Sequence, residues 1–128
     1  MQRYPQGEVV VVLDCADLKR AADFWCAVLG HRAGPDASEI YLSLFPGSGG
    51  GPELLLQKVP ERKSAVKNRV HLDLRTPDLD AEVQRVVAAG ATTVTDGPID
   101  EGGWRWHVLA DPDGNEFCVL QPPAEHWE

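Results

Sequence analysis

A chain of 128 residues is long enough for one domain with a real hydrophobic core. Twenty acidic against twelve basic residues leave a net charge of −8, which argues against nucleic acid as a partner, because a phosphate backbone calls for a cationic footprint. No apolar run approaches membrane-spanning length and no charged-then-apolar leader precedes the first strand; with three cysteines in neither zinc-ribbon nor Cys-x-x-Cys spacing, a cytoplasmic protein with reduced thiols is expected.

Met1 to Gly7 reads as a loose lead-in. Val9 to Leu13 is a strand. Asp17-Leu18 opens a helix whose apolar stripe is Leu18, Ala21, Ala22, Trp25, Val28 and Leu29, and Gly30 closes it. His31 to Ala33 is a short strand, Ile40 to Phe45 an alternating one, and Leu54 to Val59 another. The glycine-rich stretch Pro46 to Pro52 lacks the Gly-Lys-Ser/Thr of a phosphate cradle and reads as a hairpin loop. Pro60 to Asn68 is a polar connection.

The plan then repeats. Val70 to Arg75 is a strand with Val70, Leu72 and Leu74 on one face and His71, Asp73 and Arg75 on the other. Asp78 is the N-cap of a helix with the stripe Leu79, Val83, Val86 and Val87, ended by Gly90. Ala91 to Thr95 is a strand, Asp96 to Gly103 a loop, Trp104 to Ala110 a strand, Asp111 to Asn115 a tight turn, and Phe117 to Gln121 the last strand before Pro122-Pro123. Two similar halves emerge, about 8–60 and 69–122, each a β-α-β-β-β module of one α+β domain. One helix covers one face of each sheet, so the other face closes on a partner or lines a cavity.

This duplicated plan resembles the vicinal oxygen chelate superfamily, which includes glyoxalases, extradiol dioxygenases and the fosfomycin- and bleomycin-resistance proteins. The resemblance is carried by Asp17-Leu18, Phe24-Trp25 and Leu29-Gly30, by His71, Asp78-Leu79 and Gly90-Ala91, and above all by Asp111-Pro112-Asp113-Gly114-Asn115 before an apolar strand. It covers nearly the whole chain and is strongest to the small bacterial glyoxalase-like branch. In metal-using members one ligand comes from the first and last strand of each half. Carried over, those positions are His71 and Cys118 in the second half and Val10 in the first. The fourth is Leu56 if the strands end alike at Pro60 and Pro122, Gln57 if the polar side faces the cavity, or, more remotely, Glu53. Val10 cannot ligate. The resemblance therefore implies a degenerate site, in which His71 with Cys118, and Gln57 if it faces the cavity, would hold a soft ion weakly at most, and no bound metal or other cofactor is expected.

His71 is the candidate hydrogen-bonding group or weak base, against a plain structural histidine. Asp73 and Arg75 pair with each other or are solvated. Cys118 is a nucleophile only if its thiolate is stabilised; otherwise it is a small apolar residue. Trp104 and Trp106 share one strand face, with Arg105 and His107 on the other. They form either core or interface, or a stacking wall for a flat ligand. Trp25 belongs to the core, and Trp127 lies in the tail, where it covers a pocket mouth or a second subunit. The expected ligand face comprises His71, Asp73, Trp104, Trp106, Cys118, Gln57 and Val10. Two functions are open: a homodimeric protein that sequesters a small, partly aromatic molecule, or a lyase, isomerase or dioxygenase with a degenerate or metal-free site.

Overall fold

The structure is a computed structural model that describes residues 10–47, 51–63 and 70–127, the last without its side chain. The lead-in from Met1 to Gly7, Val9 at the start of the expected first strand, the middle of the glycine-rich loop, most of the connection between the halves and the Trp127 side chain lie outside the described residues. The chain divides into two compact units, Met1–Arg62 and Lys63–Glu128.

In the first unit, β1 (Val10–Cys15), α1 (Leu18–Leu29), β2 (Arg32–Ala33), β3 (Tyr41–Phe45) and β4 (Glu53–Lys58) follow in order. The sheet order is β1-β4-β3-β2, with β1 parallel to β4 and the other pairs antiparallel. The parallel pair is possible because α1 and two strands intervene, long enough to carry the chain back across the sheet. Helix α1 starts where the Asp17 carboxylate accepts a hydrogen bond from Arg20 N at 3.0 Å. It stops at Gly30, whose φ of 73° is left-handed and whose N–H reaches Cys26 O at 2.9 Å. Its stripe buries Ala21, Ala22, Phe24, Trp25 and Val28 against Leu44, Leu54 and Leu56. Burial of each large side chain stabilises by about 1.5–3 kcal/mol before entropy is subtracted.

The second unit contains β5 (Leu72–Arg75), α2 (Leu79–Ala89), β6 (Thr92–Thr93), β7 (Ile99–Glu101), β8 (Trp104–Ala110), β9 (Glu116–Gln121) and a short 3-10 turn at Ala124–Trp127. The order is β5-β9-β8-β6, with β7 also paired to β8 and β5 parallel to β9. Asp78 caps α2 by accepting from Ala81 N at 3.1 Å, and Gln121 Oε1 accepts from Leu79 N at 2.9 Å, tying the last strand to the helix. Leu79, Val86, Leu109, Phe117 and Val119 make this unit's core. The fold class is the expected α+β, with two helices and two open mixed sheets. Among the described residues no helix is long and apolar enough to cross a membrane.

Three local expectations fail. Val70 is 85% exposed and outside β5, because pairing with β9 begins only at Leu72 opposite Phe117. Val87 is exposed as well, so the apolar stripe of α2 narrows to Leu79, Val83 and Val86. The loop expected from Asp96 to Gly103 contains strand β7, which reaches β8 through Gly102 and Gly103 at φ 58° and 85°. Two successive positive-φ residues are what a two-residue hairpin needs to follow strand twist, and glycine supplies them without strain.

Candidate functional site

Period-two alternation sorts each strand of the second sheet into a face under α2 and a face away from it. Leu74, Leu109, Phe117 and Val119 go to the helix side. The register then fixes what shares the other face: Asp73 lies opposite Cys118, Cys118 opposite Val108, Arg75 opposite Leu120, and Leu120 opposite Trp106. Trp104 is two residues from Trp106 on the same face. His71 directly precedes β5 and continues the side of Asp73 and Arg75. Cys118 and both tryptophans are half-buried there.

Arg105 and His107 take the opposite side. His107 stands opposite the fully buried Val119, and its Nδ1 is 3.2 Å from Thr95 Oγ1. Sequence alternation left open which side of β8 turns away from the helix. Register against Cys118 resolves it in favour of the tryptophans.

Within this face, His71 Nδ1 lies 3.0 Å from Asp73 Oδ1, a distance at which Nδ1–H donates to the carboxylate and leaves the Nε2 lone pair available. Asp73 thus pairs with His71, not with Arg75. The Arg75 guanidinium carbon lies 5.3 Å from the centre of the Trp104 ring, within cation–π range. The His126 ring meets Trp104 at 5.8 Å in an edge arrangement. Trp104 therefore has partners of its own. The ligating atoms of His71, Asp73 and Cys118 all fall within 4.8 Å of one another.

The Asp111-to-Asn115 turn places β9, and with it Cys118. Asp111 is 4% exposed, and its Oδ1 accepts from the N–H groups of Asp113 at 2.9 Å and Asn115 at 2.8 Å. Its Oδ2 accepts from Asn115 Nδ2 at 3.0 Å. Gly114, at φ 85°, supplies the left-handed step, and Lys63 pairs with Glu116 at 3.4 Å just beyond it.

In the first unit, Val10, Val12 and Asp14 share the helix-free face with Glu53, Leu55 and Gln57. Leu56 is excluded as a ligand-facing residue, since it is fully buried under α1. Gln57 does face away from the helix, and its Nε2 donates to the Tyr41 hydroxyl at 3.5 Å. Neither is the counterpart of Cys118. Val12 and Asp73 each stand five residues before a helix N-cap, and Val12 pairs with Leu55 where Asp73 pairs with Cys118. The equivalent residue is Leu55, which sequence comparison missed. Matching the strands at Pro60 and Pro122 is off by one, because β4 has one more residue before its proline than β9.

A metal shared between the first and last strands of both halves does not fit these residues. Val10 and Leu55 carry no donor atom. Among the described residues, His71, Asp73 and Cys118 remain the group whose donor atoms gather. Their chemistry is that of a hydrogen-bonding imidazole, a carboxylate and a thiol.

The fold and this arrangement define a glyoxalase-like protein: the glyoxalase-like domain family matches residues 10–120, and the chain belongs to that family. An uncharacterized protein of Mycobacterium bovis is 33% identical over 122 residues, spanning 85% of this chain and 79% of its own. A glyoxalase/bleomycin resistance protein/dioxygenase family enzyme from Burkholderia phytofirmans shares the fold with a TM-score of 0.69 at 20% identity, over 88% of this chain and 95% of that one. TnmS3, an antibiotic binding protein from Streptomyces sp. CB03234, is similar with a TM-score of 0.65 at 27% identity, over 90% of this chain and 94% of its own.

Proposed function

We propose that this chain is a small-molecule binding protein that sequesters a planar, partly aromatic ligand on the helix-free face of its second sheet. The observation that carries the reading is the register that puts Trp106 and Trp104 on one face with Cys118, Asp73 and, one residue outside β5, His71. Stacking on an aromatic wall adds about 0.5–1.5 kcal/mol to the burial of a ligand's apolar surface, so it orients more than it binds. The free Nε2 of His71 supplies a directed hydrogen bond. The net charge of −8 favours a neutral or cationic ligand. The likeness to TnmS3 supports an antibiotic or a similar aromatic metabolite as the ligand class.

The working form in this proposal is a cytoplasmic homodimer without a bound metal. Exposed Val12, Tyr41 and Phe45 lie on the helix-free face of the first sheet, the kind of apolar surface a second copy covers. Sedimentation equilibrium is expected to give twice the chain mass at micromolar concentration; a monomer throughout rejects the dimer. Elemental analysis is expected to find well under one zinc, nickel or iron per chain, and a stoichiometric ion overturns the metal-free reading.

The direct test is tryptophan fluorescence titrated with a panel of aromatic antibiotics and metabolites. Quenching is expected, and its loss in the double variant Trp104→Phe/Trp106→Phe. Quenching that survives the double variant places the stacking wall elsewhere. A second reading, a metal-free glyoxalase-like lyase or isomerase, is favoured by the His71–Asp73 pair, which is the arrangement of a general base held by a carboxylate. Turnover of a bound ligand that stops in His71→Gln would select it.

A further inference from the structure

We propose that Cys118 is an activated thiol that captures soft electrophiles covalently, with His71 as its base and Asp73 as the residue that positions His71. This goes beyond reversible binding on the same face and does not depend on the tryptophans.

The geometry follows from two strands. Asp73 and Cys118 are register partners on β5 and β9, and His71 lies two residues before Asp73 on the same side. Asp73 holds the Nδ1–H of His71 at 3.0 Å, so the basic lone pair sits on Nε2. One ring nitrogen of His71, a carboxylate oxygen of Asp73 and the Cys118 sulfur lie within 4.8 Å of one another, so imidazole and thiol are neighbours and a side-chain rotation or one bridging water completes the hydrogen bond. A nucleophile beside a base, with the base oriented by a third group, is the general arrangement of an activated nucleophile. Cys118 is half-buried on an accessible sheet face.

The other two thiols lack this setting. Cys15 is 3% exposed, and its thiol donates to Gln57 O at 3.6 Å. Burial pushes the Cys26 thiol up, with the nearby Asp23 charge adding to the shift. The charged groups on the face of Cys118 are His71, Asp73 and Arg75 from the β5 segment and Glu116 from its own strand, the last paired with Lys63. Strand β8 offers only Trp104, Trp106, Val108 and Ala110 to that side.

The electrophile class is the α,β-unsaturated carbonyl, including quinones and maleimides. In the step, His71 Nε2 takes the Cys118 proton and the sulfur pair forms an S–C bond to the β-carbon. The C=C π pair moves to give an enolate, which recovers a proton at the α-carbon from the imidazolium. The result is a net addition, with no leaving group, no oxidant and no cofactor.

The test is timed alkylation of the folded chain by limiting N-ethylmaleimide in chelator-containing buffer, with each thiol followed by peptide mass mapping. Cys118 is expected to react at least about tenfold faster than Cys26 at neutral pH, and Cys15 slowest. His71→Gln is expected to slow Cys118 by about tenfold and leave Cys26 unchanged. Asp73→Asn is expected to shift the pH profile of Cys118 alkylation while circular dichroism stays the same, a change that a purely structural role would not give. In guanidinium chloride the three thiols should converge. Equal rates for Cys118 and Cys26 in the folded chain, or a Cys118 rate indifferent to His71→Gln, overturn the proposal. Loss of ligand quenching with intact Cys118 reactivity would instead refute the aromatic-ligand reading alone.

Discussion

Replacing Asp111 with alanine removes the acceptor around which the turn before β9 is built. Two backbone N–H groups, from Asp113 at 2.9 Å and Asn115 at 2.8 Å, donate to its Oδ1, and Asn115 Nδ2 donates to Oδ2 at 3.0 Å. The residue is 4% exposed, so water does not readily replace the lost oxygen atoms. A hydrogen bond to a charged group contributes about 1.5–3 kcal/mol, and a buried donor left unpaired costs a similar amount. Counting the two backbone bonds and treating the third as marginal, the loss is about 3–6 kcal/mol. That is a large part of the roughly 5–15 kcal/mol that holds a domain together. With a urea slope of about 1–3 kcal/mol per molar, the denaturation midpoint falls by about 2 M. Asp111→Asn should lose less, because its single carbonyl oxygen still accepts from the backbone while its amide faces the Asn115 amide donor to donor. A loss under about 1 kcal/mol for Asp111→Ala, or Asn costing more than Ala, would refute this account of the turn.

Leu56→Ala should cost about 2–5 kcal/mol, whereas Gln57→Ala should stay within about 0.5 kcal/mol, and urea melts giving the reverse order would mean that β4 is shifted by one residue. The Arg20 amide that donates to Asp17 holds that carboxyl below its ordinary value of 3.8. Folding therefore favours the ionised form, and this contribution is complete above the ordinary value and fades as pH falls through the lowered folded one. Asp17→Asn should flatten the acid limb of the stability-versus-pH curve, and an unchanged limb would contradict the capping role. Gly114→Ala, at φ 85° and with the Lys63 side chain 3.3 Å from the added carbon, should destabilise by about 1 kcal/mol in the same melts; a gain in stability would show that the left-handed step is not required.

Much of the fold is written locally. Asp17, Gly30, Asp78 and Gly90 bound the two helices where cap chemistry says they should. Buried Trp25 follows from helical spacing, and alternation puts His71, Asp73 and Arg75 on one side, but the pairing of Asp73 with His71 and not with Arg75 had to come from the structure. What local reading misses is pairing. Leu55 as the counterpart of Cys118 depends on the offset between β1 and β4, which no single strand encodes, and a one-residue slip moves every side chain to the other face. Val70 looks like strand core by alternation, yet among the described residues no strand pairs with it. Strand β7 had a signal, Gly102-Gly103 before an aromatic strand, but Ile99-Asp100-Glu101 is too short and polar to announce itself. The partner of Arg75 could not be read either, because Trp104 reaches it across β9.

The claim that the second sheet's helix-free face is the ligand site is tested most directly by NMR, following backbone amides and tryptophan indole N–H signals while a quenching aromatic ligand is titrated. The account predicts shifts concentrated at Trp106, Asp73 and Cys118, with the buried Trp25 indole unmoved. Shifts concentrated on β1, β3 and β4, with Trp106 and Cys118 silent, would contradict it.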